Sequence, residues 1–183
     1  MKDAQKDILD FWFEQTQPPQ WFQVNPAFDA TIKDLYEDAY EKAALGIFDD
    51  WKKNADGCLA LCLLLDQFPR NMYRGTPKAF ATDGKGLVVA KYALSKGFDQ
   101  VLVPMKRRFL YLPFEHSENL NDQRKCVELF DRMKKDDPLG YDYAMRHLKV
   151  IEKYGRFPHR NRILARTSTP DEEEYLAQSG AGF

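Results

Sequence analysis

The sequence has few cysteines and no long apolar segment. Its three cysteines, Cys58, Cys62 and Cys126, are odd in number and have no framework spacing, which suits a reducing compartment better than a disulfide scaffold. The first seven residues lack the apolar core of a signal peptide. The longest apolar run, residues 58–65, is far shorter than the roughly 20 residues that cross a bilayer. We therefore expect a cytoplasmic protein without a membrane partner.

An excess of either charge is also missing. The chain has 27 Lys and Arg residues against 28 Asp and Glu residues, a formal net charge of -1. No global field would draw the whole protein to nucleic acid or to a membrane, so any anion site must be local. A chain of 183 residues can bury a sizeable core without disulfides or metal. We expect residues 1–183 to form a single helical domain.

The β-branched alternation of half-buried strands does not occur, whereas helix start and stop signals recur. Asn25 before Pro26 predicts a helix that continues to Gly46, and Asp56 is expected to cap an apolar helix that Pro69 ends. Further helices are expected over residues 4–15, 83–97, 104–113, 118–135 and 139–154, and from a capping box at residues 169–172. Asp83 and Ser117 are the expected N-caps of the second and fourth of these helices. These patterns predict an all-α fold.

Known catalytic signatures are absent from the sequence. There is no Gly-x-Ser-x-Gly elbow, no phosphate-binding glycine loop, and no His-Glu-x-x-His or Glu-x-x-His metal motif. We predict no metal and no cofactor, and the sequence leaves open whether the protein is an enzyme.

The first polar segment, residues 65–75, begins at the C-terminal end of the apolar helix. A carboxylate there opposes the helix dipole, so Asp66 needs a nearby cation, and Arg70 or Arg74 is close enough in sequence. We predict an Asp66–Arg70 ion pair closed by a turn at Pro69. The pair could be structural, or its arginine could belong to a ligand site.

The second segment, residues 109–118, places Glu115, His116 and Glu118 directly after an apolar stretch. These groups could act as general acids and bases or as metal ligands, and desolvation could shift their pKa values. The alternative is a histidine that serves only in capping or in the core.

The third segment, residues 146–166, has seven Lys or Arg residues against the single acid Glu152, and it contains His147 and His159. Arg156, His159 and Arg160 would share one face if a helical turn persists through Pro158. An anion would complement such a face. Alternatively, the acidic run at residues 171–174 neutralises it, and nucleic-acid binding ranks last.

Three segments, residues 64–71, 111–118 and 154–161, resemble the bacterial domain-of-unknown-function family numbered 924. The resemblance extends from residues 8–13 to residues 168–172. It implies a TPR-like fold, a right-handed array of antiparallel helix pairs with about 8–10 helices. It implies no activity and no catalytic residues, because fold does not fix function.

Our leading hypothesis is a polar pocket that binds a small anionic ligand or a chain terminus. Its candidate catalytic residues are Glu115, His116, His147 and His159. Its candidate ligand-binding residues are Asp66, Arg70, Arg74, Arg156, Arg160 and Asn161. The competing hypothesis is a protein–protein adaptor whose groove is lined by aromatic residues such as Tyr73, Phe80 or Tyr111. A hydrolase of unidentified substrate is a further alternative.

Overall fold

The computed structural model describes residues 4–178 and 180–182, so residues 1–3, 179 and 183 of the predicted domain lie outside it. No β-strand occurs in the part of the chain that the structure describes, and the all-α prediction is confirmed. The chain divides into two compact units, and each is described by itself below.

The first unit consists of Met1–Arg74 and Lys78–Pro113. Its helices are α1 (Ala4–Asp10), α2 (Pro18–Phe22), α3 (Pro26–Ala44), α4 (Ala55–Cys62), α5 (Phe68–Met72), α6 (Asp83–Ser95), α7 (Phe98–Val101) and α8 (Pro104–Glu115), whose last two residues belong to the second unit. Short π-helical turns cover Phe11–Gln15 and Leu63–Gln67, and 3-10 turns cover Asp49–Lys53 and Pro77–Phe80. Within this unit α3 packs on α5, and α4 packs on α1 and α6.

The second unit consists of Gly75–Pro77 and Phe114–Phe183. Its helices are α9 (Leu120–Arg132), α10 (Pro138–Tyr154) and α11 (Pro170–Leu176), with a 3-10 turn at Pro158–Arg160. Helices α9 and α10 pack against each other, and Val150, Ile151 and Phe157 form a buried cluster beside them. The single domain and the right-handed TPR-like stacking stay predictions.

An aromatic cluster forms the core of the first unit. Trp12, Phe68 and Phe109 are fully buried, and the Trp12 ring lies 5.4 Å from Phe68 and 5.7 Å from Phe109 between ring centroids. The indole N–H of Trp21 donates to Thr16 Oγ1 at 2.7 Å, which satisfies its polar atom inside this apolar setting. The sequence pattern at residues 8–13 thus supplies core side chains rather than a ligand site.

The apolar helix does not end at Pro69, contrary to our expectation. After α4 the chain widens into the π-helical turn Leu63–Gln67, in which the Phe68 N–H donates to Leu63 O, and then continues as α5. Pro69 has no N–H for Leu65 O, and the Thr82 hydroxyl donates to that carbonyl instead at 2.6 Å. Asp66 and Arg70 therefore lie four residues apart on a helix that continues through the proline.

Three of the predicted N-caps are also wrong. Asp83 is the first residue of α6, and Thr82 takes its cap position. Asn54, in extended backbone, accepts the Gly57 N–H at 2.7 Å and caps α4, so Asp56 lies inside the first turn. Asn119 caps α9, and the hydroxyl of Ser117 donates to Asp122 Oδ2 at 2.8 Å. In the last two cases an asparagine whose backbone is not helical takes the cap position.

Gly57 is required by a close approach in the first unit. A Cβ atom there would overlap the backbone carbonyl of Trp51, which a side-chain rotation cannot relieve. We expect Gly57→Ala to lower the free energy of unfolding by about 1.5 kcal/mol, because the overlap outweighs the helix propensity gained by alanine. Gly84→Ala in α6 is the matched control, since a Cβ there meets nothing within 4 Å. Urea melts in which both variants behave alike would contradict this account.

Candidate functional site

The Asp66–Arg70 ion pair is confirmed, and Arg70 has a second carboxylate partner. Its Nη1 lies 3.4 Å from Asp66 Oδ1, while its Nη1 and Nη2 donate to Asp83 at 2.9 and 3.0 Å. Asp66 is fully buried and also accepts from Gln67 Nε2 at 2.5 Å. One guanidinium thus balances two carboxylates, Asp66 in the π-helical turn that follows α4 and Asp83 at the start of α6.

Arg74 connects α5 with α3 in the same unit. Its Nε and Nη2 donate to the two oxygens of Asp29 at 2.8 and 3.0 Å, and Asn71 Nδ2 donates to Asp29 Oδ1 at 2.8 Å. A bidentate pair of this kind fixes the geometry of two helices. The contacts of Arg74 therefore support a structural role.

In the second unit, Glu118 holds the segment that follows α10. Its carboxylate accepts two hydrogen bonds from Arg166, at 2.8 and 3.0 Å, and one from the Phe157 N–H at 2.8 Å. Burial would raise the pKa of Glu118, but Arg166 and the Phe157 N–H outweigh burial and lower this pKa. Arg166 also donates to Phe157 O at 3.0 Å, so the Phe157 backbone is held on both sides.

Arg156, His159 and Arg160 do not share one helical face, because the 3-10 turn covers only Pro158–Arg160. Arg156 instead forms a bidentate pair with Glu172, at 2.6 and 2.7 Å. Asn161 Nδ2 donates to the same carboxylate at 3.3 Å. The predicted neutralisation by the acidic run is therefore confirmed for Arg156.

The end of α8 is fixed by a glutamine from α9. Gln123 is fully buried, and its Nε2 donates to Glu115 O at 2.6 Å and Ser117 O at 2.7 Å. The last turn of a helix leaves its carbonyls without intrahelical partners, and this amide satisfies them. Gln123 thereby holds the backbone that carries Glu115 and His116.

All three histidines of the chain meet in the second unit. We name as the histidine cluster the residues Glu115, His116, His147, His159 and Arg160. The first two lie beside His147, and the last three lie beside the Phe157 ring. His147 Nδ1 lies 3.7 Å from Glu115 Oε1, and the His147 ring lies 6.4 Å from the His116 ring. Both Glu115 and His147 are buried, whereas His116 is only partly buried.

Phe157 connects the other half of the histidine cluster to His147. Its ring centroid lies 5.5 Å from that of His147 and 5.6 Å from that of His159. The Arg160 guanidinium stacks over the Phe157 ring with its carbon 4.5 Å from the centroid, and Arg160 is buried. The cluster therefore combines a buried cation and a buried carboxylate with two partly exposed imidazoles.

His147 is held neutral by its surroundings. Burial lowers its pKa to about 3, and the nearby His116, His159 and Arg160 act in the same direction, while a hydrogen bond to Tyr143 O opposes them. That bond joins His147 Nδ1 to the carbonyl at 2.9 Å, so Nδ1 carries the proton and Nε2 the lone pair. A neutral imidazole with a fixed tautomer can accept a hydrogen bond or a proton from a ligand.

The aromatic residues expected to line an adaptor groove are largely inside the first unit. Tyr111 and Tyr73 are buried, and their hydroxyls donate to Asp99 Oδ2 at 2.9 Å and Glu37 Oε1 at 2.8 Å. Phe80 is partly buried beneath the Arg70 guanidinium. These contacts favour packing over peptide recognition for all three side chains.

Within residues 4–178 and 180–182, no group of three His, Cys, Asp or Glu side chains has an arrangement that could hold a metal ion. Over the same ranges, none of the helices combines the length and the apolar composition needed to cross a bilayer.

The family model described as "Bacterial protein of unknown function (DUF924)" matches residues 8–180. The chain belongs to this family. The solved structure of a protein of unknown function from Agrobacterium tumefaciens is similar to this chain, with 41% sequence identity and a TM-score of 0.90. The similarity covers 94% of this chain and 96% of the other. No curated protein is found to match the chain.

Membership of the DUF924 family confirms the resemblance seen in the sequence, and it assigns no function. The sequence of this DUF924 protein predicts only some of the ion pairs that the structure shows. Glu172 was recognisable as a capping-box residue, and its side chain does accept from the Thr169 N–H at 2.8 Å, but its pairing with Arg156 had no sequence signal. The sequence likewise predicts Asp83 only as a helix cap, and nothing in it indicates the pairing of Asp83 with Arg70.

Proposed function

We propose that the histidine cluster binds a small anionic ligand or the carboxylate of a chain terminus. The observation that supports this proposal is the position of His147: buried Glu115 and His116 lie beside it, and it shares the Phe157 ring with His159 and buried Arg160. Clusters of this kind, where burial and charge shift pKa values, are more frequent at functional sites than elsewhere.

The charge balance of the cluster favours an anion over a cation. The formal charges of Arg160 and Glu115 cancel, so protonation of His116 or His159 would leave an excess of positive charge in a partly buried setting. An anion would complement that excess where the local dielectric is low. Arg70, Arg74 and Arg156 are not part of this proposal, because each already pairs with a carboxylate of its own unit.

The test is a ligand-screening melt with inorganic phosphate, citrate and short peptides with a free C-terminus. A ligand at ten times its Kd should stabilise the protein by about 1.4 kcal/mol, which corresponds to a Tm increase of roughly 3–5 °C. The same ligand should shift the imidazole NMR signals of all three histidines. If no anion up to millimolar concentration moves either readout, the proposal is wrong.

Substitutions then locate the bound anion. His159→Gln and His116→Gln should each weaken binding about tenfold, the loss of roughly one charge-assisted hydrogen bond. Arg146→Gln is the matched control, since Arg146 lies on α10 near His147 but is exposed and pairs with Asp142. Equal weakening by all three variants would indicate a diffuse charge effect rather than a site.

A hydrolase is the second candidate, and the fixed tautomer of His147 favours it. Burial is the main cause of the low pKa of His147, and the neighbouring cations add to it. A bound anion would offset the cations, so binding should raise this pKa and take up protons. Affinity should therefore increase as pH falls, and a reacting ligand could pass its proton to Nε2. Turnover of a stabilising ligand that His147→Gln abolishes would distinguish an enzyme from a binding protein.

We further infer a cytoplasmic location and a TPR-like arrangement of the helices. The three cysteines are buried without a disulfide, and burial raises the pKa of Cys58 to about 11, which suits thiols that serve as small apolar side chains in a reducing compartment. The pairing of consecutive helices α9 and α10 supports the TPR-like arrangement. A protein partner in a helical groove has no comparable support, because Tyr73 and Tyr111 are buried.

A further inference from the structure

The turn between α7 and α8 in the first unit displays apolar side chains to solvent. Val101, Val103 and Met105 are 74%, 59% and 51% exposed, whereas Leu102 between the valines is buried. We call residues 101–105 the apolar turn. Single exposed apolar residues are ordinary, but three within five residues form a patch that points to an interaction.

The apolar turn is held in place by buried polar contacts at its base. Arg107 Nε donates to Asp99 O at 2.8 Å, and Arg107 Nη2 donates to Leu102 O at 2.9 Å. The buried Asp99 carboxylate accepts from the Tyr111 hydroxyl at 2.9 Å and from Gln100 Nε2 at 2.5 Å. The backbone of the turn is therefore fixed, and the fold itself presents the three apolar side chains outward.

Basic residues flank the apolar turn on both sides. Residues 96–108 contain four basic residues, Lys96, Lys106, Arg107 and Arg108, against one acid, Asp99, a formal charge of +3 in a protein whose net charge is -1. Asp99 is buried and hydrogen-bonded, and Arg107 is bound to backbone carbonyls at the base of the turn. Lys96 is exposed and Lys106 and Arg108 are partly exposed, so the charge that this segment presents to solvent is positive. The partner of such a surface should combine apolar material with negative charge.

We propose that the apolar turn docks reversibly into the interface of an anionic lipid bilayer. Aliphatic side chains on a fixed turn insert among acyl chains, while flanking lysines and arginines contact anionic headgroups. Nucleic acid fits less well, because none of the exposed residues of the turn offers an aromatic ring for base stacking. This association differs from a membrane-spanning helix, and it revises our expectation that the protein has no membrane partner.

The test is co-sedimentation of the full chain with two kinds of vesicle. Vesicles of phosphatidylcholine with about 30% phosphatidylglycerol should bind the protein, and pure phosphatidylcholine vesicles should bind it at least about tenfold more weakly, with the difference shrinking at high salt. Val101→Asp with Val103→Asp should reduce binding to the anionic vesicles by at least about tenfold.

Leu45→Asp with Ile47→Asp is the matched control, because these two side chains are also exposed aliphatic groups of the first unit, at 77% and 61%. This control should bind as the wild type does, and far-UV circular dichroism should show both double variants folded. Absence of binding to the anionic vesicles, or equal loss in both double variants, would overturn the proposal. Self-association that Val101→Asp with Val103→Asp abolishes, without vesicle binding, would instead identify a second copy of the chain as the partner.

Discussion

Replacing Arg70 with alanine should lower the free energy of unfolding by about 3 kcal/mol or more, because the substitution removes one cation that serves two carboxylates. Asp66 is fully buried, and its carboxylate would then lie uncompensated in an apolar setting inside a helix that continues to Met72. Asp83 would lose a bidentate partner in the same step. The cost comes mainly from the charge left behind rather than from the attraction lost.

Urea melts followed by tryptophan fluorescence measure this effect. The three tryptophans, Trp12, Trp21 and Trp51, belong to the first unit, as Arg70 does, so their fluorescence reports on the unfolding of that unit. Lys42→Ala is the control, because the Lys42–Asp38 pair is exposed and belongs to the first unit, and it should cost under about 1 kcal/mol. A loss as small for Arg70→Ala as for the control would contradict the buried-pair interpretation. If stability were intact while a ligand from the screening melt no longer bound, Arg70 would belong to the binding site.

The first unit shows how far local sequence rules extend. Helix content and the Asp66–Arg70 pair follow from spacing along the chain, because both depend on residues within about one helical turn. The continuation through Pro69 does not, since it depends on the Thr82 hydroxyl, 17 residues away from the carbonyl of Leu65. Asp83 enters the ion cluster for the same reason, as α6 folds back against the preceding helix.

The candidate site has the same limit. Sequence composition identifies the segments that contain the three histidines. It does not show which arginines pair with carboxylates, and so it does not distinguish them from Arg160, which stacks on Phe157. Arg156 and Arg160 are four residues apart, yet one pairs with α11 and the other stacks on Phe157. Pro158 limits the segment to a 3-10 turn, so the helical face that would have kept these side chains together does not form.

Loss of the Arg156–Glu172 pair should also lower the free energy of unfolding strongly, and the size of this effect should depend on pH. The hydrogen bonds from Arg156 lower the pKa of Glu172 to about 2 against the opposing effect of burial, and the Thr169 N–H assists. Because this folded-state pKa lies below the unfolded value of about 4.5, the pair stabilises the fold fully above pH 4.5, and its contribution disappears as pH falls through 2. Glu172→Gln should therefore cost about 2.5 kcal/mol at pH 7, since the buried side chain loses its charge-assisted bonds to Arg156.

The difference in the free energy of unfolding between wild type and Glu172→Gln should shrink steadily between pH 4.5 and pH 2. Protonation of Glu172 removes its negative charge from the wild type in this range, whereas the substitution removes that charge at every pH. Imidazole NMR signals can follow the urea melts of this variant. The three histidines, His116, His147 and His159, belong to the second unit, as Glu172 does, so their signals report on the unfolding of that unit. The neighbouring Glu173 is exposed, so Glu173→Gln should change stability by less than about 0.5 kcal/mol at any pH. A deficit of Glu172→Gln that stays constant down to pH 2 would mean that packing of the glutamine, and not the lost charge, causes the destabilisation.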